Sequence, residues 1–197
     1  HETLLNQAKE QYEAAEKAAK SDALKSFKGF DQNAAIRQIK TYELKLAMHR
    51  GQYADAKTFV EGALKDGETV EVIYNNDGGD NPLYSAIGPN SRDVQVSPSL
   101  EAARTTDAEK KALPLAHASV DKKNPNRYNI YASGLTRKGS IIISNDDDIH
   151  LIKAELIVRG VMTGDAMTEV NKVIGKYDTA SQLSTAPTLA QIAELRR

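Results

Sequence analysis

The sequence predicts a mainly α fold, with helical hairpins flanking an irregular, weakly β insertion. Three observations carry this. Apolar residues recur at spacings of three and four near both ends of the chain. Between them, residues 68–144 lose that period and fill with Gly, Pro, Asn and Asp. Aromatic residues make up only 6% of the chain and Trp is absent, so the helices must pack through Ala, Leu, Ile and Val.

Residues 2–20 carry the stripe Leu4, Leu5, Ala8, Tyr12, Ala15, Ala19, which places these side chains on one helical face. Ser21, Gly29 and Phe30 mark a break. A second helix is expected from Asp31 to His49, with Asp31 as N-cap and Ala35, Ile39, Tyr42 and Leu46 inward. Gly51 ends it. A third is expected from Tyr53 to Leu64, with Tyr53, Ala56, Val60, Ala63 and Leu64 inward and Gly67 as its stop.

The junction Leu46-Ala47-Met48-His49-Arg50-Gly51-Gln52-Tyr53-Ala54-Asp55-Ala56 reads as the centre of a tetratricopeptide-type unit. Gly51 permits the tight turn, Ala47 and Ala56 let two helices approach, and Tyr53 fills the base. A plain αα-hairpin would ask for the same small residues. The pattern returns late in the chain. Ile149, Ile152 and Leu156 share a face of a helix starting near Asp147 or Asp148, Gly160 to Gly164 provide the turn, and Ala166, Val170, Val173 and Ile174 line the next helix. Asp146, Asp147 and Asp148 sit where carboxylates favour a helix dipole.

In the insertion, Val70, Val72 and Tyr74 alternate like a short strand, as do Tyr128, Ile130 and Ala132, and Ser140-Ile141-Ile142-Ile143 is β-branched. Residues 100–112 can form a short helix. The whole chain, 1–197, thus reads as a single domain, with helical pairs at about 2–66 and 147–197. Tetratricopeptide-like helical hairpins with an irregular, weakly β insertion are the expected architecture.

A formal net charge of -1 argues against nucleic acid as a partner. With no cysteine there is no disulfide, thiol nucleophile or thiolate metal site. The apolar runs are too short to span a membrane as a helix. The chain opens His1-Glu2-Thr3 without an initiator Met, as expected of a mature product or a part of something longer.

Catalytic patterns are few, and no enzymatic activity is expected. Ser119-Val120-Asp121-Lys122 fits Ser-x-x-Lys but lacks the companion motifs, so a solvated loop is the expected reading. His49 and His150 are expected at helix surfaces or caps rather than as ligands. No cofactor is required. Two acidic clusters have the oxygen ligands that Ca2+ prefers: Asp77 with Asp80 and Asn81, and Asp146 with Asp147 and Asp148. Turn chemistry and helix capping are the favoured reading of both clusters. Sugar recognition would use aromatic faces and polar side chains. Tyr74, Tyr84 and Tyr128, beside Asn76, Asn81 and Arg127, are the candidate ligand-binding residues; half-buried strand positions are the alternative for Tyr74 and Tyr128.

The stretch Asp148-Ile149-His150-Leu151-Ile152-Lys153-Ala154-Glu155-Leu156, then Gly164-Asp165-Ala166 and Val170-Asn171-Lys172-Val173-Ile174, resembles the SusD/RagB proteins. Thr188-Leu189 leading to Ile192-Ala193-Glu194-Leu195-Arg196-Arg197 resembles that family's closing helix, and Gly51-Gln52-Tyr53-Ala54-Asp55-Ala56 its earlier helical repeat. The order agrees across nearly the whole chain, as in a shortened or partial member. The resemblance implies a non-catalytic outer-membrane surface or extracellular lipoprotein that binds a glycan or other nutrient for a TonB-dependent transporter. The family's lipidated Cys has no counterpart here. The alternative is a self-assembling structural subunit, in which copies of the chain build a filament or tube through uncovered helix faces.

Overall fold

The computed structural model describes residues 2–26, 31–72, 74, 81, 82, 84, 99, 102, 105, 110, 115–117, 128–130 and 138–196. Their elements are α1 (Glu2–Ala19), α2 (Asp22–Lys25), α3 (Gln32–His49), α4 (Tyr53–Val60), β1 (Thr69–Val72), β2 (Leu115–His117), β3 (Tyr128–Ile130), β4 (Ile141–Asn145), α5 (Asp146–Val158), α6 (Ala166–Tyr177) and α7 (Leu189–Leu195), with a 3-10 turn at Thr179–Ser181. The fold is mainly helical. Strand β1 pairs with β4, and β2 pairs antiparallel with β3, Ala116 facing Asn129.

The chain divides into two compact units. The first holds residues 1–70, 144–173 and 183–197; the second holds 71–143 and 174–182. In the first unit one core joins both hairpins. Leu44, Ala47 and Met48 of α3, Ala56 and Val60 of α4, and Ile149, Ile152 and Leu156 of α5 are buried in it. Ala47 and Ala56, both buried, occupy the close approach that the sequence assigns to them.

The two hairpins turn in the same way. At the end of α3 the Gly51 N–H donates to Met48 O (3.1 Å) and the Gln52 N–H to Ala47 O (2.9 Å), with Gly51 at φ +69. At the end of α5 the Gly160 N–H donates to Ile157 O (2.9 Å) and the Val161 N–H to Leu156 O (2.9 Å), with Gly160 at φ +71. These are paired Schellman closures, each with Arg-Gly at the helix end. Gly160 is therefore the counterpart of Gly51. Gly164, at φ +149, lies later in the longer second connection. Asp165 caps α6, accepting from the Met167 N–H (3.0 Å) and the Thr168 hydroxyl (2.5 Å).

Several elements differ from expectation. The inward face of α1 runs through Leu5, Ala8, Tyr12, Glu16 and Ala19, while Leu4 and Ala15 are exposed. Glu16 belongs there because its carboxylate receives Lys20 (2.6 Å) and Lys40 (2.5 Å). Helix α3 has Asp31 as N-cap, accepting from the Ala34 N–H (3.0 Å). It is covered on two sides. Its predicted stripe is half-buried, with Tyr42 stacked on Tyr12 of α1 (5.6 Å), and Leu44, Ala47 and Met48 fill the main core. Helix α4 ends at Val60, not Leu64. The Gly62 and Ala63 N–H groups turn back three residues to Phe59 O and Val60 O, and the Leu64 N–H goes to Thr41 Oγ1 (3.1 Å). Gly67, at φ +81, then serves a type II turn from Lys65 to Glu68 and stops no helix. Helix α5 starts at Asp146, capped by Asn145 Oδ1, which accepts from the Asp148 N–H (3.3 Å). Tyr74 lies outside β1. The expected helix at 100–112 falls mostly outside the described residues.

Candidate functional site

Among the sequence candidates, Asn76, Asp77, Asp80 and Arg127 lie outside the described residues, as do Ser119 and Lys122. Tyr74 and Tyr84 are half-buried. Tyr128 stands in β3, opposite His117. Asn81 is fully buried in the second unit. Its Nδ2 donates to Gly139 O (2.7 Å), and its Oδ1 accepts from the Tyr84 N–H (3.3 Å), so its amide ties two stretches of backbone together.

The second acidic cluster is engaged by protein donors. Asp146 Oδ2 accepts from the Gly67 N–H (2.8 Å), Asp147 Oδ2 from Asn145 Nδ2 (3.2 Å), and Asp148 Oδ2 from Lys45 Nζ (2.7 Å) and the Ser144 hydroxyl (2.8 Å). Among the described residues no group of three or more His, Asp or Glu side chains is arranged to hold a metal ion.

His49 is exposed, in keeping with the surface reading, whereas His150 is not at the surface: it is 2% exposed. Its Nδ1 is 2.6 Å from Glu169 Oε2 on α6, and its Nε2 is 3.1 Å from Asp66 Oδ1 on the segment after α4. Lys172 approaches the other oxygen of Glu169 (3.3 Å). Each ring nitrogen thus faces a carboxylate oxygen. The cluster joins three segments of the first unit and leaves no ring nitrogen for a metal.

A more open arrangement lies at the α3–α4 turn, where α1 crosses the hairpin. Two clefts, of about 200 and 560 Å³, share Lys9, Arg50 and Gln52 in their walls. Leu46 and Phe59 add apolar wall to the smaller cleft; Leu5, Asn6 and His49 line the larger. The Arg50 side chain is only 10% exposed. Its Nη2 donates to Glu2 Oε1 (3.1 Å) and to Asn6 Oδ1. Its Nε is buried and has no partner among the described residues. Nearby acids are largely neutralised: Glu13 pairs with Lys9 (3.8 Å) and Glu43 with Lys40 (2.7 Å). Burial alone would lower the Lys40 ammonium, but its bonds to Glu16 and Glu43 hold it above the usual lysine range.

Sequence reasoning passed over Arg50, because an arginine at a helix C-cap is an ordinary surface residue. The signal available was its place beside Gly51, where α1 would cover it. For His150 the signal was its position between Ile149 and Leu151 on a helix with apolar residues on several sides.

No protein-family model, curated protein or solved structure matches the chain.

Proposed function

We propose that this chain is a non-catalytic binding protein of the SusD/RagB type, capturing a glycan or other nutrient at the outer-membrane surface for a TonB-dependent transporter. The observation that carries the proposal is the repeated hairpin. Arg50-Gly51 and Arg159-Gly160 close α3 and α5 with the same bonds, at the two places where the sequence resembles the family's helical units. Tyr74, Tyr84 and Tyr128 of the second unit carry the aromatic faces that sugar recognition uses. Binding without catalysis accords with the lack of a nucleophile–base pair in the sequence patterns.

The test is affinity purification of the tagged full chain from detergent-solubilised outer membranes of its native source. Recovery of a TonB-dependent transporter in fixed stoichiometry supports the proposal. Recovery of the chain alone, in the presence of intact transporter, overturns it.

The self-assembling subunit is the second reading, favoured by apolar side chains in the open on the first unit: Leu4 of α1, 67% exposed, and Leu24 of α2. Light scattering separates the two, since a filament subunit grows in mass with concentration.

A further inference from the structure

We propose that the clefts at the α3–α4 turn form a binding site for a ligand carboxylate, with Arg50 as the residue that holds it. The Nε–H and Nη2–H of an arginine point the same way and form a fork that matches the two oxygens of a carboxylate. In Arg50 one prong, Nε, is buried and unpartnered among the described residues. A buried donor left without an acceptor is costly, so an arriving oxygen is strongly favoured there. The other prong, Nη2, is shared by Asn6 Oδ1 and the carboxylate of Glu2, whose side chain is 77% exposed. Glu2 shows which chemical group the fork accepts. Being exposed, it holds its place weakly and can be displaced at little cost.

A second feature points the same way. Helix α4 begins without a side-chain cap: Gln52, at the N-cap, makes no such bond, and it lines both clefts. The positive end of the helix dipole therefore adds to the attraction for a negative group. Asp55, in the first turn of α4, lines the smaller cleft and limits the charge the site tolerates. One carboxylate fits; a phosphate dianion would meet repulsion. Asn6, Gln52 and Lys9 supply further donors, and Phe59 offers an apolar face to the body of the ligand.

A carboxylate can come from an acidic sugar or from a peptide C-terminus, and the experiment separates the two. Titration calorimetry on the full chain uses trigalacturonate against its methyl ester, trialanine against its C-terminal amide, and inorganic phosphate. At least one free acid is expected to bind at least tenfold more tightly than its neutral partner, with phosphate weaker than that acid. Arg50→Lys should lose at least tenfold of that affinity, because an ammonium cannot form the fork. Glu2→Gln should gain a few-fold, because the internal competitor is gone, and it reports on the site even if Arg50→Lys folds poorly. Preference for trigalacturonate supports both this site and the glycan proposal. Preference for trialanine supports the site and turns the nutrient toward peptides. If neither acid exceeds its neutral partner, or if Glu2→Gln leaves binding unchanged, the proposal is overturned.

Discussion

The guanidinium of Arg159 lies over the ring of Tyr53, with its central carbon 4.3 Å from the ring centroid. Arg159 caps α5 and Tyr53 opens α4, so the contact runs from the end of one hairpin's first helix to the start of the other's second helix. Glu155 holds Arg159 from below (2.7 Å) and also receives Arg196 at the end of α7. One charge network thus links both hairpins and the last helix. A cation over an aromatic face contributes about 0.5–2 kcal/mol, depending on burial.

Arg159→Ala is expected to cost about 1 kcal/mol. In a double-mutant cycle with Tyr53→Leu the two losses should be less than additive, by at least about 0.5 kcal/mol. Urea unfolding of the four proteins measures this. Full additivity would show that the stacking contributes nothing.

Gly51→Ala and Gly160→Ala should each cost about 1–2 kcal/mol, the strain of an L-residue in the left-handed region. An added Cβ meets nothing within 4 Å at either site, so strain acts alone and the two losses should be alike. Gly164→Ala should cost more, since its Cβ would also lie 2.9 Å from Ile157 Cδ1. Thermal unfolding of the three variants checks the ranking. Equal melting temperatures for Gly51→Ala and the parent would remove the local support for the repeated hairpin.

The paired Schellman turns show what was legible in the chain. Gly51, Asp31 and the Ala47–Ala56 approach could be read directly, because local backbone demands leave a residue-level trace. On α1, Leu5, Ala8, Tyr12 and Ala19 could be read too, but the inward place of Glu16 could not. Glu16 lies inside because Lys40 waits on another helix, and no periodicity reports a partner so far along the chain. The end of α4 was misplaced for a similar reason, since Thr41 draws off the Leu64 N–H from α3. Asn81 was read for its polar amide, which the fold spends on Gly139 and Tyr84. His150 and Arg50 escaped because burial by a distant element, not residue type, gives them their character.

Acid should weaken the first unit through Glu68. Its carboxyl is held below the usual range chiefly by the Arg37 guanidinium (2.6 Å), with help from the Lys65 N–H. A depressed carboxylate stabilises the fold above its unfolded value, about 4.3, and that contribution is lost as pH falls through the lower folded value. Glu16, held low by Lys20 and then Lys40, acts in the same direction. Glu68→Gln should therefore cost about 1 kcal/mol at neutral pH and converge on the parent in acid. A constant difference across the titration would contradict the assignment.

His150→Leu should destabilise by about 2–4 kcal/mol, because it leaves the half-buried Glu169 carboxylate without its imidazole partner. Urea unfolding of the variant beside the parent measures the loss. A variant as stable as the parent would contradict the bridging arrangement.

The measurement closest to the central proposal is size-exclusion chromatography with multi-angle scattering on the complex purified from native outer membranes, with both partners identified by mass spectrometry. A binding protein serving a transporter should elute at one defined mass, equal to the sum of this chain's native form and a TonB-dependent transporter. A mass that rises with concentration and contains copies of this chain alone would contradict the account and establish the assembly subunit instead.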